Sequence, residues 1–363
     1  GVSVNDSNLL EVSFNAKDLD FNELMEILDS YRQKRKYHRL KDKSFITLGD
    51  QQMQAIADFV DNTGIAKAQA DGMKVELPMS QAMYLDELAR EDEALRLERS
   101  RAFRAIVRDI RHPEDSEVEV PPSLKGVLRD YQVTGFNWLS NLSAYHLGGI
   151  LADDMGLGKT LQVITCLTEL RRQTPKARAL LVVPASLIGN WEKEIQRFSP
   201  DLSVCVLHGM PSARLADTLQ SSDAFLTITT YGMVNRLEQL KDRTWDCLVL
   251  DEAQAIKNPG TQQSRAVRKI PARFRIAMTG TPIENNLSNL WALFDFLNRG
   301  LLGTSKEFDA YAKALQEKGS YVGLKRMVSP FILRRLKTDK HIIADLPEKI
   351  EMTDYVELTR QQV

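Results

Sequence analysis

The sequence offers little for metal or thiol chemistry. It has three cysteines, Cys166, Cys205 and Cys247, and no two stand at C-x-x-C spacing. Each lies in an apolar run, so buried, reduced thiols are expected rather than a zinc or redox centre. An intracellular, cytoplasmic setting is the default for such thiols. The five histidines are scattered and form no ligand set. Aromatics make up only 7% of the chain, and no apolar run approaches the length of a membrane span. No signal peptide precedes Val2, so no membrane partner is expected. An initiating Met is also missing. The chain opens directly into "VSVNDSNLLEVSF", which reads as a hairpin entered midway, so a fragment is expected. The net charge of -1 excludes no partner, because acids and bases can still be segregated into patches.

What is present falls into two textures. Residues 1–118 are mixed: a hairpin over Val2–Phe14, a helix near Phe21–Tyr31, then the basic run "YRQKRKYHRLKDKSFITL". That run interleaves Tyr31, Tyr37 and Phe45 with cations between Arg32 and Lys43, and reads either as a phosphate track or as a solvated basic surface. Further on, Phe103, Ile106, Val107 and Ile110 share one helical face, so that helix packs against a core. "RHPEDSEVEVPPSL" then breaks the pattern as a linker.

From about residue 119 to 350 short apolar runs alternate with helical stretches: "LGGILA", "ALLVVP", "SVCVLH", "AFLTITT", "DCLVLDE" and "FRIAMTG". Strands alternating with helices predict a parallel sheet covered on both faces. After "LLVVP", Ser186 is a candidate N-cap, and Leu187, Trp191, Ile195 and Phe198 share one helix face. Ligands of such sheets sit beyond the carboxyl ends of the strands. The informative motifs fall there.

"GGILADDMGLGKTLQ", Gly148–Gln162, ends like a phosphate-binding loop, but Asp153 stands where the usual pattern has its first glycine. Gly156 and Gly158 still allow backbone N–H groups to converge on phosphate oxygens. Lys159 can reach the outer phosphates of ATP, and Thr160 offers a hydroxyl to Mg²⁺ at a helix N-terminus. "WDCLVLDEAQ" is an apolar strand ending in two carboxylates. Asp251 can hold Mg²⁺ through water while Glu252 deprotonates the attacking water. Gln132, in "LRDYQVTGFNWL", fits two readings: a buried position on an amphipathic helix, or an amide that reads the adenine edge.

With these motifs in order, and "TGTPIENNLSNLWALFDFLNRGLLG" after them, the chain resembles the Swi/Snf-type family of helicase-like ATPases over about Pro121–Lys349. The family's run before Gly-Leu-Gly-Lys-Thr matches Ala152-Asp153-Asp154-Met155, so Asp153 is a family trait. The resemblance implies a RecA-like parallel sheet with helices on both faces, the first of two lobes, preceded by a smaller α+β region. It implies adenine contact at Gln132 and nucleotide contacts along Asp154, Met155, Gly156, Leu157, Gly158, Lys159 and Thr160. Asp251 and Glu252 fall on the metal and water positions, with Lys159 and Glu252 as the catalytic pair. Gln254, Thr279 and Thr281 would couple nucleotide state to the grip on DNA. Ser186, Thr230, Arg334 and Arg335 are its candidates for DNA contact. Helix capping is the competing reading for the first two, and a structural ion pair for the two arginines. Asp130 departs from the proline often found there, with no catalytic consequence. Residues 1–118 faintly resemble the helicase-associated region of some bacterial members.

The function so implied is ATP-driven translocation on double-stranded DNA, displacing or remodelling DNA-bound proteins. A helicase acting on RNA or single strands shares the same motifs, and a nucleotide-gated interaction module without turnover is a third reading. A second RecA-like lobe in cis would complete the site, with residues 351–363 as the start of the linker to it. This chain alone is expected to be nearly inactive.

Overall fold

The computed structural model describes residues 1–14, 19–49, 51–65, 70–71, 74–91, 97–280 and 286–340. The N-terminal part contains β1 (Val2–Val4), β2 (Leu10–Ser13), α1 (Phe21–Arg32), β3 (Tyr37–Arg39), β4 (Phe45–Thr47), α2 (Gln51–Thr63), β5 (Ala70–Asp71), β6 (Lys74–Leu77), α3 (Ala82–Glu91) and α4 (Arg101–Arg111). Four strands form an antiparallel sheet in the order β1-β2-β6-β5, and β3 with β4 make a separate two-stranded ribbon. Alternation places Leu10, Val12, Val75 and Leu77 inward. Asp20 caps α1 by accepting from the Glu23 N–H at 2.7 Å, and Ser100 caps α4 through the Phe103 N–H at 3.2 Å. The expected face of Phe103, Ile106, Val107 and Ile110 is buried.

The second part runs α5 (Asp130–Ala144), β7 (Gly149–Leu151), α6 (Lys159–Gln173), β8 (Ala179–Val183), α7 (Ile188–Phe198), β9 (Val204–Leu207), α8 (Ser212–Ser221), β10 (Leu226–Thr230), α9 (Tyr231–Val234), β11 (Trp245–Leu250), α10 (Gln262–Arg268), β12 (Ala272–Met278), α11 (Leu287–Leu297), α12 (Ser305–Lys318), α13 (Val322–Val328) and β13 (Ile332–Leu333). Its sheet has the order β13-β7-β12-β11-β8-β10-β9, and every pairing is parallel. All six strands expected from the apolar runs are present. β13 is the seventh, a short edge strand inside "FILRRLKTD". Central strands such as β8 are buried at every position, as a parallel sheet covered on both faces requires.

Register then fixes the site. Val249 of β11 lies opposite Leu181 of β8 and Ile276 of β12, and Ala277 lies opposite Ile150 of β7. The carboxyl ends of β7, β8, β11 and β12 therefore share one edge, and the loops following them converge. Among the described residues no helix is long and apolar enough to cross a membrane.

The two parts share one apolar core. Across their junction the Tyr311 hydroxyl donates to Asn62 Oδ1 at 2.6 Å and Gln81 donates to the Leu301 carbonyl, while within the N-terminal part Asn62 donates to the Tyr84 hydroxyl. All three cysteines are free. Cys247 is buried, while Cys166 and Cys205 are half-buried, short of the full burial expected of them.

Candidate nucleotide site

The loop between β7 and α6 is held open by two left-handed glycines. Gly156 has φ of 85° and Gly158 of 82°. A Cβ on Gly158 would meet Gln132 Nε2 at 2.2 Å, so both conformation and space demand glycine there. Gln132 is buried and braces this loop. Its Nε2 donates to the Leu157 carbonyl at 3.0 Å, and its Oε1 accepts from the Arg129 N–H at 2.9 Å, closing the start of α5. The Tyr131 hydroxyl donates to the same Leu157 carbonyl at 2.8 Å.

Asp153 is wholly buried, and its partner comes from the far end of the lobe. Arg335 donates to it from Nε at 3.0 Å and from Nη2 at 2.6 Å, and the Arg335 backbone N–H adds a bond of 3.0 Å. Nη2 also reaches Gln162 Oε1 at 2.6 Å, Nη1 donates to the Tyr131 carbonyl, and the guanidinium lies over the Tyr131 ring. Arg335 is therefore not available to DNA, and the ion-pair reading replaces that expectation. The fork matches a carboxylate geometrically, and burial leaves the pair little water to compete with it. The strand β13 lays this segment beside the loop: Ala152 N–H donates to the Leu333 carbonyl, and Asp154 N–H to that of Arg335. Lys337 N–H then donates to Asp154 Oδ2 at 3.0 Å.

Lys159 opens α6, and its Nζ donates to the Asp153 carbonyl at 2.7 Å. Burial lowers its pKa, opposed by the carboxylates of Asp153, Asp251, Glu252 and Asp154. Thr160 follows it in the first turn, half-buried, and Met155 stands exposed at the loop tip.

Across the sheet edge Asp251 follows β11. Its Oδ2 accepts from the indole N–H of Trp191 at 2.8 Å and its Oδ1 from the Glu252 N–H at 2.8 Å. Burial raises its pKa, which these two hydrogen bonds and the charge of Lys159 counter. Glu252 adopts a left-handed backbone, φ 51°, uncommon for a residue with a side chain. The turn swings its carboxylate to Gln254, whose Nε2 donates to Glu252 Oε2 at 2.5 Å. Gln254 Oε1 in turn accepts from the Thr279 hydroxyl at 3.0 Å. Thr279 and Gly280 follow β12, which lies between β7 and β11, and a Cβ on Gly280 would stand 3.9 Å from Lys159 Nζ. Thr281 lies outside the described residues.

The remaining candidates part company. Ser186 is exposed at the end of β8 and does not cap α7, which starts at Ile188 without a side-chain cap. Thr230 is buried, and its hydroxyl accepts from the Met233 N–H at 3.3 Å, so capping describes it and DNA contact does not. Arg334 is exposed. Sequence reasoning treated Trp191 as a core residue only. Nothing in the spacing announced its bond to Asp251, nor the partnership of Asp153 with Arg335 or the brace from Tyr131.

Two family matches divide the chain: the SNF2-related domain over residues 131–363, and the bacterial SNF2 helicase-associated region over 1–121. The chain belongs to the SNF2-related family. This SNF2-related chain is 40% identical over 275 residues to the putative ATP-dependent helicase/translocase YwqA of Bacillus subtilis, covering 72% of the chain and 29% of that protein. It is 38% identical to the ISWI chromatin-remodeling complex ATPase ISW2 of Saccharomyces cerevisiae, over 69% of the chain and 23% of that protein. Among solved structures, the SWI2/SNF2 ATPase core of Sulfolobus solfataricus in complex with dsDNA matches with a TM-score of 0.59 and 41% identity. That match covers 68% of the chain and 52% of the core. The chain thus spans less than a third of the curated relatives named, and its sheet is the RecA-like sheet of that family.

Proposed function

We propose that this chain is the ATP-binding first lobe of an ATP-dependent double-stranded DNA translocase that displaces or remodels DNA-bound proteins. The observation that carries the reading is the hydrogen-bonded relay Glu252–Gln254–Thr279 set against the phosphate loop. It ties a candidate base for water activation to the strand end beside Lys159.

The roles follow from position. Backbone N–H groups of residues 156–160 and the Lys159 ammonium cradle the phosphates of ATP. Gln132 keeps one N–H and one lone pair beyond those it uses at Leu157 and Arg129, which suits an adenine edge. Glu252 takes the proton of the attacking water, and Gln254 orients the Glu252 carboxylate. The residues also suit a divalent cation. Asp251 is a buried carboxylate whose pKa burial raises, and Thr160 offers a hydroxyl in the first turn of α6. Mg²⁺ held by these two would neutralise charge on the phosphate oxygens. Thr279, at the other end of the relay, would report the state of the phosphate site to the DNA side. Ser186 and Arg334 are the exposed candidates for phosphate-backbone contact, so binding should be independent of sequence and weaken steeply with salt.

In this reading the remaining wall of the phosphate site belongs to the part of the ATPase core that the chain does not match. Turnover by the chain alone is then slow, and a second lobe supplies several powers of ten. The membership in the SNF2-related family favours duplex DNA over RNA as the track. The first test is titration of the chain with Mg-ATP. Binding that Lys159→Ala abolishes supports the site, while binding unaffected by that substitution removes it.

A further inference from the structure

The basic run from Arg32 leads into the β3–β4 ribbon, which has a distinct outer face. Tyr37 pairs with Thr47 and Arg39 with Phe45, so alternation puts these four side chains on one side and His38 with Ile46 on the other. The inner side is anchored to α1. His38 Nδ1 meets the Ser30 hydroxyl at 2.7 Å, the Lys41 N–H donates to the buried Glu23 carboxylate at 2.7 Å, and Lys41 Nζ pairs with Asp20 at 2.8 Å. The outer side is solvent-facing: Tyr37 is 61% exposed and Phe45 67%, and both Arg39 and Thr47 are exposed.

Two large rings standing in water on a rigid, anchored ribbon are not explained by the fold. The charge around them points to an occupant. From Arg32 to Lys43 there are seven cationic side chains and one acid, Asp42. Arg32 and Lys41 are used in ion pairs with Asp29, Asp61 and Asp20. Arg39 on the outer face and Lys43 in the turn between the strands are exposed and make no ion pair among the described residues, and Lys34, Arg35 and Lys36, likewise exposed and without an ion pair, line the cavity next to the ribbon. A polyanion complements such a surface, and exposed ring faces take bases only where those bases are unstacked. A duplex keeps its bases stacked inside and presents phosphates alone to a surface of this kind.

We propose that the outer face of the β3–β4 ribbon is a binding site for single-stranded nucleic acid. The free cations hold phosphates, and Tyr37 and Phe45 stack on bases. The site lies in the helicase-associated part and shares no residue with the nucleotide site. It does not depend on the reading of the nucleotide site.

The test is fluorescence anisotropy of a labelled thymidine oligonucleotide with the whole chain, against a blunt duplex of mixed sequence and phosphatidylserine vesicles as competitors. The oligonucleotide is expected to bind, and Tyr37→Ala or Phe45→Ala to weaken it on the order of tenfold each. Duplex affinity and melting temperature should not change with either ring. Arg39→Gln with Lys43→Gln should flatten the salt dependence by roughly 0.7 per lost contact in the log–log slope. Three results overturn the proposal: oligonucleotide affinity indifferent to both rings, equal loss of duplex affinity, or vesicles competing as well as the oligonucleotide.

Discussion

Asp153 and Arg335, 182 residues apart, form a buried ion pair at 2.6 Å directly behind the phosphate loop. The pair explains how a loop without its first glycine keeps its shape. Asp153 anchors the turn by its carboxylate where a conventional loop turns on glycine. The segment that supplies Arg335 forms the last strand of the sheet.

Restoring the conventional residue should therefore do harm. Asp153→Gly brings the sequence into line with the usual pattern yet leaves the Arg335 guanidinium buried without its partner. Breaking such a pair from one side costs about 3–5 kcal/mol. Denaturant unfolding should show that loss, and Arg335→Met added to Asp153→Gly should recover part of it.

Gly158→Ala tests the second device. The new Cβ is strained by the positive φ and collides with the amide of Gln132 at 2.2 Å. At Gly156 the same substitution meets only the flexible end of Lys337, at 3.2 Å. Nucleotide affinity should fall much further for Gly158→Ala than for Gly156→Ala. Adding Gln132→Ala should relieve the steric part of the Gly158 defect. Isothermal titration with Mg-ATP reads both.

These contacts also show where sequence reading runs out. Six strands announced themselves as apolar runs, the inner ones because burial on both faces leaves no alternation to interpret, and β9 as an apolar run at the far edge. The ends of two of them carried Lys159, Asp251 and Glu252 in legible order. β13 did not, since two residues at a sheet edge make no pattern. Arg334 and Arg335 read alike in sequence, yet just past this short strand one stands exposed and the other is bonded to Asp153. Ser186 and Thr230 looked like equivalent caps. Only Thr230 is one, because a single turn of tighter helix at Ala185–Leu187 takes up Ser186 and leaves Leu187 at the cap position of α7.

Trp191→Phe removes one hydrogen bond to a buried carboxylate together with part of a wholly buried ring, and only the hydrogen-bond part of its cost depends on pH. The Trp191 N–H lowers the pKa of Asp251, which burial has raised, so its loss should raise that pKa further. A group whose folded-state pKa is raised loses stabilising effect as pH rises through it. The hydrogen-bond part of the cost should therefore be full at neutral pH, about 1.5–3 kcal/mol for a bond to a charged group. It should shrink as acid protonates Asp251 in the folded state. Thermal unfolding of both proteins between neutral pH and pH about 4, near the ordinary range for Asp, checks the sign.

Thr279→Val breaks the relay while leaving Glu252 and Gln254 in contact. Nucleotide binding should survive within a few-fold. In the complete ATPase core, the stimulation of hydrolysis by DNA should be lost more than the basal rate. Equal loss of both would make Thr279 a structural support only.

The most direct measurement is phosphate release by this chain together with the rest of its ATPase core, with double-stranded DNA, single-stranded DNA, RNA or no nucleic acid. Strong stimulation by the duplex alone is expected, with a fall on the order of 10²–10⁴-fold for Glu252→Gln while ATP still binds. Stimulation by RNA or single strands in place of the duplex, or turnover indifferent to Glu252, would contradict the translocase reading.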